Sequence, residues 1–400
     1  MTNIPAIRIK NFCDEWVLYN IDKKVDFYNG LTYTPSDVVK QDGTLVLRSS
    51  NVQGSEIVSA DNVYVNSDVV NTDNVRVGDI VVVVRNGSKA LLGKHAEVKT
   101  EMPNTVIGAF MTGIRTQNPP FVNALLSTPA FNEELRKNMG ATINQITGGM
   151  FKSMEFYFPE DEEQKKIGRL FDGLDDVITL YQKKLSKLVL AKKSMLLKMF
   201  PQNGATVPEI RFDGFKDDWD KYKFGQLFEK NDALNDIGLG IEKTITVASM
   251  KYNPEGNGSA EASIPKYKLL RYGDIAFEGN RRKNHPYGKL VINDIGDGIM
   301  SARFRTLKPI VKPCVKFWKH YLSITEIFQS ILLRSTKRGT LMNELVLEDL
   351  MEEIVYLPSE KEQEKIGDFF DNLDNLIALQ EAKIEKLKKA KQALLNKMFV

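Results

Sequence analysis

The most regular hydrophobic pattern of the chain occurs twice, in residues 157–201 and 356–400. In both segments apolar side chains recur in alternating steps of four and three over about five heptads, the spacing of a coiled-coil seam. A proline near the start of each segment and Pro201 at the end of the first are helix-boundary signals. The predicted seam comprises Ile167, Phe171, Leu174, Ile178, Leu185 and Leu188 in the first helix, and Ile366, Phe370, Leu373, Ile377, Ile384 and Leu387 in the second.

Each predicted helix is about 37 residues long, or roughly 55 Å at 1.5 Å per residue. A helix of this length and pattern needs a partner for its apolar seam. The simplest partner is the other copy, in an antiparallel pair. The alternative is that each helix packs on its own module or on another protein.

The segments between these helices have short β-branched runs interrupted by Gly, Asn, Asp and Pro. Strands are predicted at 44–47, 62–65 and 79–85, and again at 243–248, 274–277, 289–292 and 304–307, with helical stretches at 121–138 and 315–335. This alternation predicts an α+β fold. The expected organisation is a module at 1–156, a helix at 157–201, a second module at 202–355 and a second helix at 356–400.

An internal repeat relates the two halves of the chain. Roughly half of the positions in 157–200 and 356–399 are identical without a gap, more than a shared helical pattern alone produces. The run Arg76-Val77-Gly78-Asp79-Ile80 also matches Arg271-Tyr272-Gly273-Asp274-Ile275, whereas the sequence between such anchors differs. The repeated frame with divergent sequence between its anchors predicts two similar mixed α/β modules with different binding faces. The modules are expected to have pseudo-two-fold symmetry, with a tandem pair as the alternative.

Composition narrows the class of protein. With 400 residues and 42% hydrophobic content the chain can form two domains with their own cores. A net charge of +3 is only mildly basic, so charge alone does not establish a polyanion partner. Cys13 and Cys314 are expected to be reduced thiols, with a single bridge as the alternative. The absence of a signal peptide and of a membrane-length apolar run predicts a cytoplasmic protein without a membrane partner.

One motif has catalytic potential. Asn118-Pro119-Pro120-Phe121 matches the tetrad of amino-methyltransferases, in which the aromatic ring stacks on a flipped base. That chemistry also needs a glycine-rich turn for S-adenosylmethionine, which the sequence lacks, and a proline break before a helix explains the tetrad equally well. No metal-ligand set or nucleophile constellation is present in the sequence. We therefore expect a recognition protein without catalytic residues, with a DNA adenine methyltransferase as an alternative.

Basic and amide side chains cluster in the loop after the Gly-Asp-Ile strand of each half, and a second polar loop precedes each long helix. Arginine and lysine pair with guanine edges or phosphates, and asparagine and glutamine with adenine. A solvated turn is the alternative at each position. The candidate DNA-binding residues are Arg85, Asn86, Ser88, Lys89, Lys94, Arg115, Thr142, Asn144, Gln145, Asn280, Arg281, Arg282, Lys283, Asn284, Arg303, Lys337, Arg338 and Asn343.

These features together resemble the specificity subunits of type I restriction–modification systems. The resemblance rests on the repeated Pro-x-x-x-Glu-Gln-x-x-Ile motif that begins at Pro159 and Pro358, and on the Phe-Asp-x-Leu-Asp sequence that follows it. The Gly-Asp-Ile strand leading to Arg-Asn-Gly-Ser, and the Ile-Arg-Phe-x-Gly-Phe run at 210–215, add to it. The resemblance covers essentially the whole chain.

The resemblance implies two target-recognition domains, each reading half of a bipartite double-stranded DNA target, and an antiparallel coiled coil that sets their spacing. It also implies docking of two modification (methyltransferase) subunits, and of restriction subunits in the full complex. S-adenosylmethionine, ATP and Mg²⁺ are then cofactors of those partners, and this chain has none. The divergent modules imply an asymmetric target. A coiled-coil scaffold that binds only proteins is the alternative, and it predicts no salt-dependent affinity for DNA.

Overall fold

The computed structural model describes residues 3–40, 42–138, 144–202, 204–256, 261–339 and 342–400. The chain forms two compact units, Met1–Gln182 together with Ala382–Val400, and Lys183–Glu381. Each unit therefore combines one globular module with part of both long helices.

The first unit contains a module of short strands followed by three short helices. Its strands are β1 (Val17–Asn20), β2 (Asp26–Asn29), β3 (Val38–Val39), β4 (Thr44–Leu47), β5 (Val52–Gln53), β6 (Glu56–Ile57), β7 (Val63–Val65), β8 (Ile80–Val83), β9 (His95–Glu97), β10 (Thr105–Ile107), β11 (Met111–Arg115) and β12 (Glu155–Phe158). Its helices are α1 (Pro119–Leu125), α2 (Pro129–Asn138) and α3 (Gly148–Lys152), and the long helix α4 (Asp161–Lys198) begins in this unit.

Strand β8 is central to the first unit. It lies between β11 and β9 in an antiparallel sheet of order β2-β11-β8-β9. Because side chains alternate across a strand, Ile80 and Val82 join the core beneath the helices, whereas Val81 and Val83 join a second core on the other face. All four are buried, which explains the unbroken aliphatic run. A second sheet, β10-β4-β7-β3, contains the parallel pair β10–β4.

The second unit repeats this plan with different loops. Its strands are β13 (Asp220–Lys223), β14 (Phe228–Asn231), β15 (Ile245–Thr246), β16 (Lys251–Tyr252), β17 (Lys268–Leu270), β18 (Ile275–Glu278), β19 (Lys289–Ile292), β20 (Gly298–Met300), β21 (Arg305–Pro309), β22 (Thr336–Arg338), β23 (Asn343–Leu345) and β24 (Ile354–Leu357). Its helices are α5 (Phe224–Leu227), α6 (Val315–Leu322), α7 (Thr325–Ser335) and α8 (Leu347–Glu352), and the long helix α9 (Glu360–Met398) begins here. The main sheet has the order β14-β21-β18-β19.

The repeated Arg-x-Gly-Asp-Ile run forms the same turn before β8 and β18. Gly78 and Gly273 have φ angles of 90° and 91°, a left-handed conformation that glycine adopts without a Cβ penalty. The Asp79 carboxylate accepts a hydrogen bond from the Arg76 backbone N–H at 3.0 Å. Asp274 accepts the corresponding bond from Arg271 at 2.9 Å. The turn geometry therefore accounts for this sequence anchor.

The two stretches predicted to be helical, 121–138 and 315–335, contain two helices each rather than one continuous helix. The first divides between α1 and α2, where Pro129 starts the second helix and cannot continue the first. The second divides between α6 and α7, where the chain turns to bury Ile324. The strand predicted at 243–248 is reduced to Ile245–Thr246.

The two long helices have 38 and 39 residues and pair in antiparallel fashion within each unit. In the first unit, Lys391 Nζ lies 2.5 Å from the Asp175 carboxylate. In the second, Lys192 Nζ lies 2.5 Å from Asp374. These two ion pairs join equivalent positions of the repeat, and in both the end of one helix meets the beginning of the other. All twelve predicted seam residues are buried or half-buried.

The end of each long helix enters the core of a globular module. Phe399, just after α9, packs against Trp16 of the first unit, with ring centroids 5.9 Å apart. Phe200, just after α4, packs against Trp219 of the second unit at 5.8 Å. The repeated Lys-Met-Phe sequence therefore supplies one large aromatic side chain to each core, and the C-terminus completes the N-terminal module.

The Glu and Gln of the repeated Pro-x-x-x-Glu-Gln motif have defined structural roles. Glu163 is fully buried and accepts two hydrogen bonds of 2.8 Å from the Arg8 guanidinium. Glu362 accepts the same fork from Arg211 at 2.7 Å. Gln164 donates a bond of 2.9 Å to the carbonyl of Pro159. The motif thus attaches the opening segment of each module to its long helix, since a bidentate Arg–carboxylate pair fixes orientation as well as charge.

Candidate nucleic-acid interface

The two candidate loops of the first unit, distant in sequence, form one surface at the end of β8. The Ile146 N–H donates to the carbonyl of Val84 at 2.8 Å, and the backbones of Arg85 and Gln145 form an antiparallel β-bridge. Asn144 Nδ2 donates to the carbonyl of Gly87 at 3.1 Å. Sequence pattern alone identified each loop but not their contact, which follows from the sheet.

The basic side chains of this surface are exposed or half-buried, whereas its asparagine side chains form hydrogen bonds within the first unit. Arg85, Ser88 and Lys89 are exposed, whereas Lys94 and Gln145 are half-buried. Asn86 Oδ1 accepts the Ser88 N–H at 3.0 Å, and its Nδ2 donates to Ser49 at 3.0 Å. In this conformation Asn86 and Asn144 shape the loops, and a direct DNA contact by either amide stays a prediction. Thr142 lies outside the described residues.

The corresponding loops of the second unit also meet. The Asn343 N–H donates to the carbonyl of Gly279 at 2.8 Å, and Arg281 donates to the carbonyl of Gly339 at 3.1 Å. Asn343 is only 4% exposed, and its amide donates to the carbonyl of Pro286 at 2.8 Å. We interpret Asn343 as a residue that holds the hairpin β22–β23 against the β18–β19 loop, and base contact by its side chain stays a prediction.

The second unit presents more positive charge than the first. Arg281, Arg282, Lys283, Asn284, Lys337 and Arg338 are exposed. Glu278, almost fully buried at the end of β18, accepts hydrogen bonds from Asn280 at 3.1 Å and from Arg282 at 3.2 Å. The buried Glu278 carboxylate thus fixes the beginning of the loop by these hydrogen bonds. The other basic side chains of the loop remain exposed to solvent.

Arg115 and Arg303 have different environments. Arg115 forms ion pairs with Asp73 at 2.5 Å and with Asp79 at 3.1 Å, and its guanidinium stacks 4.4 Å from the Tyr28 ring centroid. The hydrogen bond from Arg115 and its positive charge lower the pKa of the Asp73 carboxyl. Arg115 therefore stabilises the turn before β8, and its contact with DNA stays a prediction. Arg303 is exposed two residues before β21, and its guanidinium lies 4.9 Å from the Phe304 ring centroid.

Phe110 is a surface residue that pattern analysis missed. It is 54% exposed, and the guanidinium of Arg85 lies 5.0 Å from its ring centroid. A lone aromatic residue just before β11, a strand that was not predicted from the sequence, gives no signal in a hydrophobicity profile. Aligning the strand registers of the two units would have found it, because Phe110 occupies the position that Arg303 occupies in the second unit.

The Asn118–Phe121 tetrad is engaged in the fold of the first unit. Asn118 is buried and donates to Gln164 Oε1 at 3.2 Å. Phe121 is fully buried, with its ring centroid 5.4 Å from that of Phe399. Pro119 begins α1, a favoured position for proline. Neither the amide nor the ring of this tetrad is placed to hold an extruded base.

The other sequence-level candidates add no chemistry to this surface. Cys13 and Cys314 are free thiols. Among the described residues, no group of His, Cys, Asp and Glu side chains is arranged to hold a metal ion. Across the same residues, every helix is too short or too polar to cross a membrane.

Comparison with known proteins identifies the family to which this chain belongs. The model of the family described as "Type I restriction modification DNA specificity domain" matches residues 118–190 and 216–389, more than half of the chain. The chain belongs to this family.

Two curated relatives come from Methanocaldococcus jannaschii. The type I restriction enzyme MjaVIII specificity subunit is 23% identical over 284 residues, which cover 64% of this chain and 64% of that protein. The putative type I restriction enzyme MjaX specificity subunit is 24% identical over 278 residues, covering 64% and 60%. The chain therefore matches slightly less than two thirds of the length of these relatives.

Solved structures share the fold along nearly the whole chain. The type I restriction–modification system S subunit from M. genitalium has a TM-score of 0.60 and 15% identity, covering 99% of both chains. A chain from a study of complex assembly and conformational transition of the type I R-M system has a TM-score of 0.53 and 17% identity, covering 95% of this chain and 96% of that one. At this identity the likeness establishes the architecture, namely two similar modules and two long helices.

Proposed function

We propose that this chain is the sequence-specific DNA-recognition subunit of a type I restriction–modification complex and reads an asymmetric, bipartite target. The observation that carries the proposal is the paired surface. In both units two polar loops meet at the end of the equivalent central strand, on the same scaffold but with different side chains. A repeated scaffold with divergent loops is suited to reading two different half-sites.

In this account the modules at 1–156 and 202–355 each read one half-site. The helical segments at 157–201 and 356–400 set the spacing and dock two modification subunits, with restriction subunits in the full complex. Methyl transfer to adenine, with S-adenosylmethionine, and ATP- and Mg²⁺-dependent steps then belong to those partners. Family membership and the engaged Asn118–Phe121 tetrad support a non-catalytic role for this chain.

The test is long-read mapping of methylated adenines in a host that expresses the chain with its neighbouring modification subunit. The control is the same strain without the chain. A bipartite motif that disappears on deletion supports the proposal and reveals the target. If the modification subunit is active and no motif depends on the chain, the recognition role fails.

A second measurement separates recognition from a scaffold that binds only proteins. The assembled complex should bind double-stranded DNA with an affinity that falls steeply with salt, because exposed lysines and arginines release counterions from phosphates. Replacement of Lys283, Lys337 and Arg338 by alanine should lower the slope of log K against log salt by about 3, roughly one for each phosphate contact removed. A salt-independent affinity would favour the scaffold.

A further inference from the structure

Each unit has an arginine stacked on a phenylalanine at the edge of its paired surface. In the first unit the Arg85 guanidinium lies 5.0 Å from the ring centroid of Phe110, and both side chains are exposed. The backbones are also joined, because the N–H groups of Val84 and Arg85 donate to the carbonyl of Phe110 at 3.0 and 3.2 Å. The stack is therefore attached to the central sheet rather than to the tip of a loop.

The second unit has its stack at the equivalent place in the sheet. Val82 pairs with Thr112 across β8 and β11, and Phe277 pairs with Arg305 across β18 and β21. Since Val82 and Phe277 occupy the same position after the Gly-Asp-Ile turn, Arg303 in the second unit is equivalent to Phe110 in the first. The guanidinium of Arg303 lies 4.9 Å from the ring centroid of Phe304.

The neighbours of these two arginines differ from those of Arg281 and Arg282. Arg281 and Arg282 donate to the carbonyl of Gly339 and to the buried Glu278, which hold their side chains within the loop. Arg85 and Arg303 lie instead on the face of a ring. A cation–π contact orients the planar guanidinium and reduces its rotamer freedom while it leaves N–H donors for a ligand.

An oriented arginine with available donors is suited to guanine. Its two parallel N–H groups match the O6 and N7 acceptors in the major groove, the commonest specific contact between a protein and a base. Preorganisation by the ring lowers the entropy lost on binding. A phosphate contact does not require this planar alignment, because lysine also binds phosphate, as a point charge.

We propose that Arg85, held by Phe110, and Arg303, held by Phe304, each recognise one guanine, one in each half of the bipartite target. This inference rests on the proposed recognition role and deepens it by naming the residues and the base. It predicts that each half-site of the methylation motif contains at least one specified G·C pair.

The test compares methylation motifs from strains carrying Arg85→Lys, Arg85→Ala, Arg303→Lys or Arg303→Ala. Lysine keeps the charge but loses the planar fork, so both substitutions should make one G·C position degenerate, with discrimination falling by about 5- to 150-fold. The Arg85 variants should affect only one half-site and the Arg303 variants only the other. Phe110→Ala should lower discrimination at the Arg85 position, and Phe110→Tyr should retain it.

Lys283→Ala is the matched control, because Lys283 is an exposed loop cation outside either stack. It should reduce methylation at all target sites alike without changing the motif. Where a variant methylates too little DNA to define a motif, the purified complex is titrated with target duplexes substituted at each G·C pair, and its thermal unfolding is compared with wild type.

The inference is overturned if a half-site lacks a specified G·C pair, or if both lysine variants keep the wild-type motif and discrimination. A uniform loss of affinity for all sequences would assign these arginines to phosphates and overturn it as well. If no motif depends on the chain at all, it is the recognition role itself that fails, so the two failures are distinguishable.

Discussion

Replacing Phe399 by alanine should destabilise the N-terminal module, although this residue is next to the end of the chain. Phe399 is 7% exposed, and its ring contacts those of Trp16, Phe121 and Phe171 at centroid distances of 5.9, 5.4 and 5.8 Å. The side chain therefore lies, together with Leu395 and Met398, in the core of the first unit, among residues from the first half of the chain.

The expected cost is that of a large buried side chain replaced by a small one. Phe→Ala substitutions in cores cost about 3–5 kcal/mol, because the lost transfer free energy adds to that of the cavity. A cost of this size raises the opening equilibrium of the affected region by about two to three and a half powers of ten. Val400→Ala is the matched control, because Val400 is 36% exposed, and its cost should be within about 0.5 kcal/mol.

The assay is hydrogen exchange of the complete chain with peptide-resolved mass spectrometry. Phe399→Ala should accelerate exchange in peptides covering β1 and α1, with little change in β18 or α6. Phe200→Ala should show the reverse distribution, since Phe200 packs with Trp219 and Phe317. Unchanged exchange of β1 and α1 in the Phe399 variant would refute the packing of the C-terminus in this core.

Two further predictions concern buried charge in the first unit. Burial, and then the charge of Asp172, raise the pKa of Glu97 to about 7. Between about pH 4.3 and pH 7 the folded state then retains a proton that the unfolded state has lost, so stability falls as pH rises through this window. Glu97→Gln should stabilise the first unit by about 1–2 kcal/mol at pH 8, after discounting for solvent screening, and by almost nothing at pH 4. Denaturant midpoints measured at both pH values check this, and an equal effect at the two would contradict it. Separately, Arg8→Ala leaves the buried Glu163 carboxylate unpaired and should cost about 3–5 kcal/mol, whereas the double variant Arg8→Met with Glu163→Met should recover most of it. Chemical denaturation measures both, and an equally unstable double variant would show that the loss is not due to unpaired charge.

The long helices and several of the strands were predictable because each depends on local periodicity. The heptad pattern predicted helices of about 37 residues, and α4 and α9 have 38 and 39. The strand predicted at 44–47 coincides with β4, and that at 289–292 coincides with β19. Family membership was also predictable, because the repeated motif is visible without any knowledge of its contacts.

Long-range partners could not be predicted from the same patterns. Glu163 was recognised as part of a motif, but its partner Arg8 lies 155 residues away, and periodicity contains no such information. The contact between the Arg85 loop and the Asn144 loop depends on the register of the β-sheet and on the course of the chain between these two residues. Phe110 was missed for the same reason, since its exposure and its stacking on Arg85 exist only once β8 and β11 are paired.

The measurement that tests the central claim most directly is the methylation motif of a chimaeric chain. In this chimaera residues 219–357 replace residues 16–158, and both long helices are kept. The antiparallel pair of β13 with β24 then takes the place of the pair of β1 with β12. If each module independently reads one half-site, the chimaera should methylate a target composed of two copies of the second half-site. An unchanged asymmetric motif, or a stable and assembled chimaera that supports no motif, would contradict the claim that the two modules are equivalent recognition units.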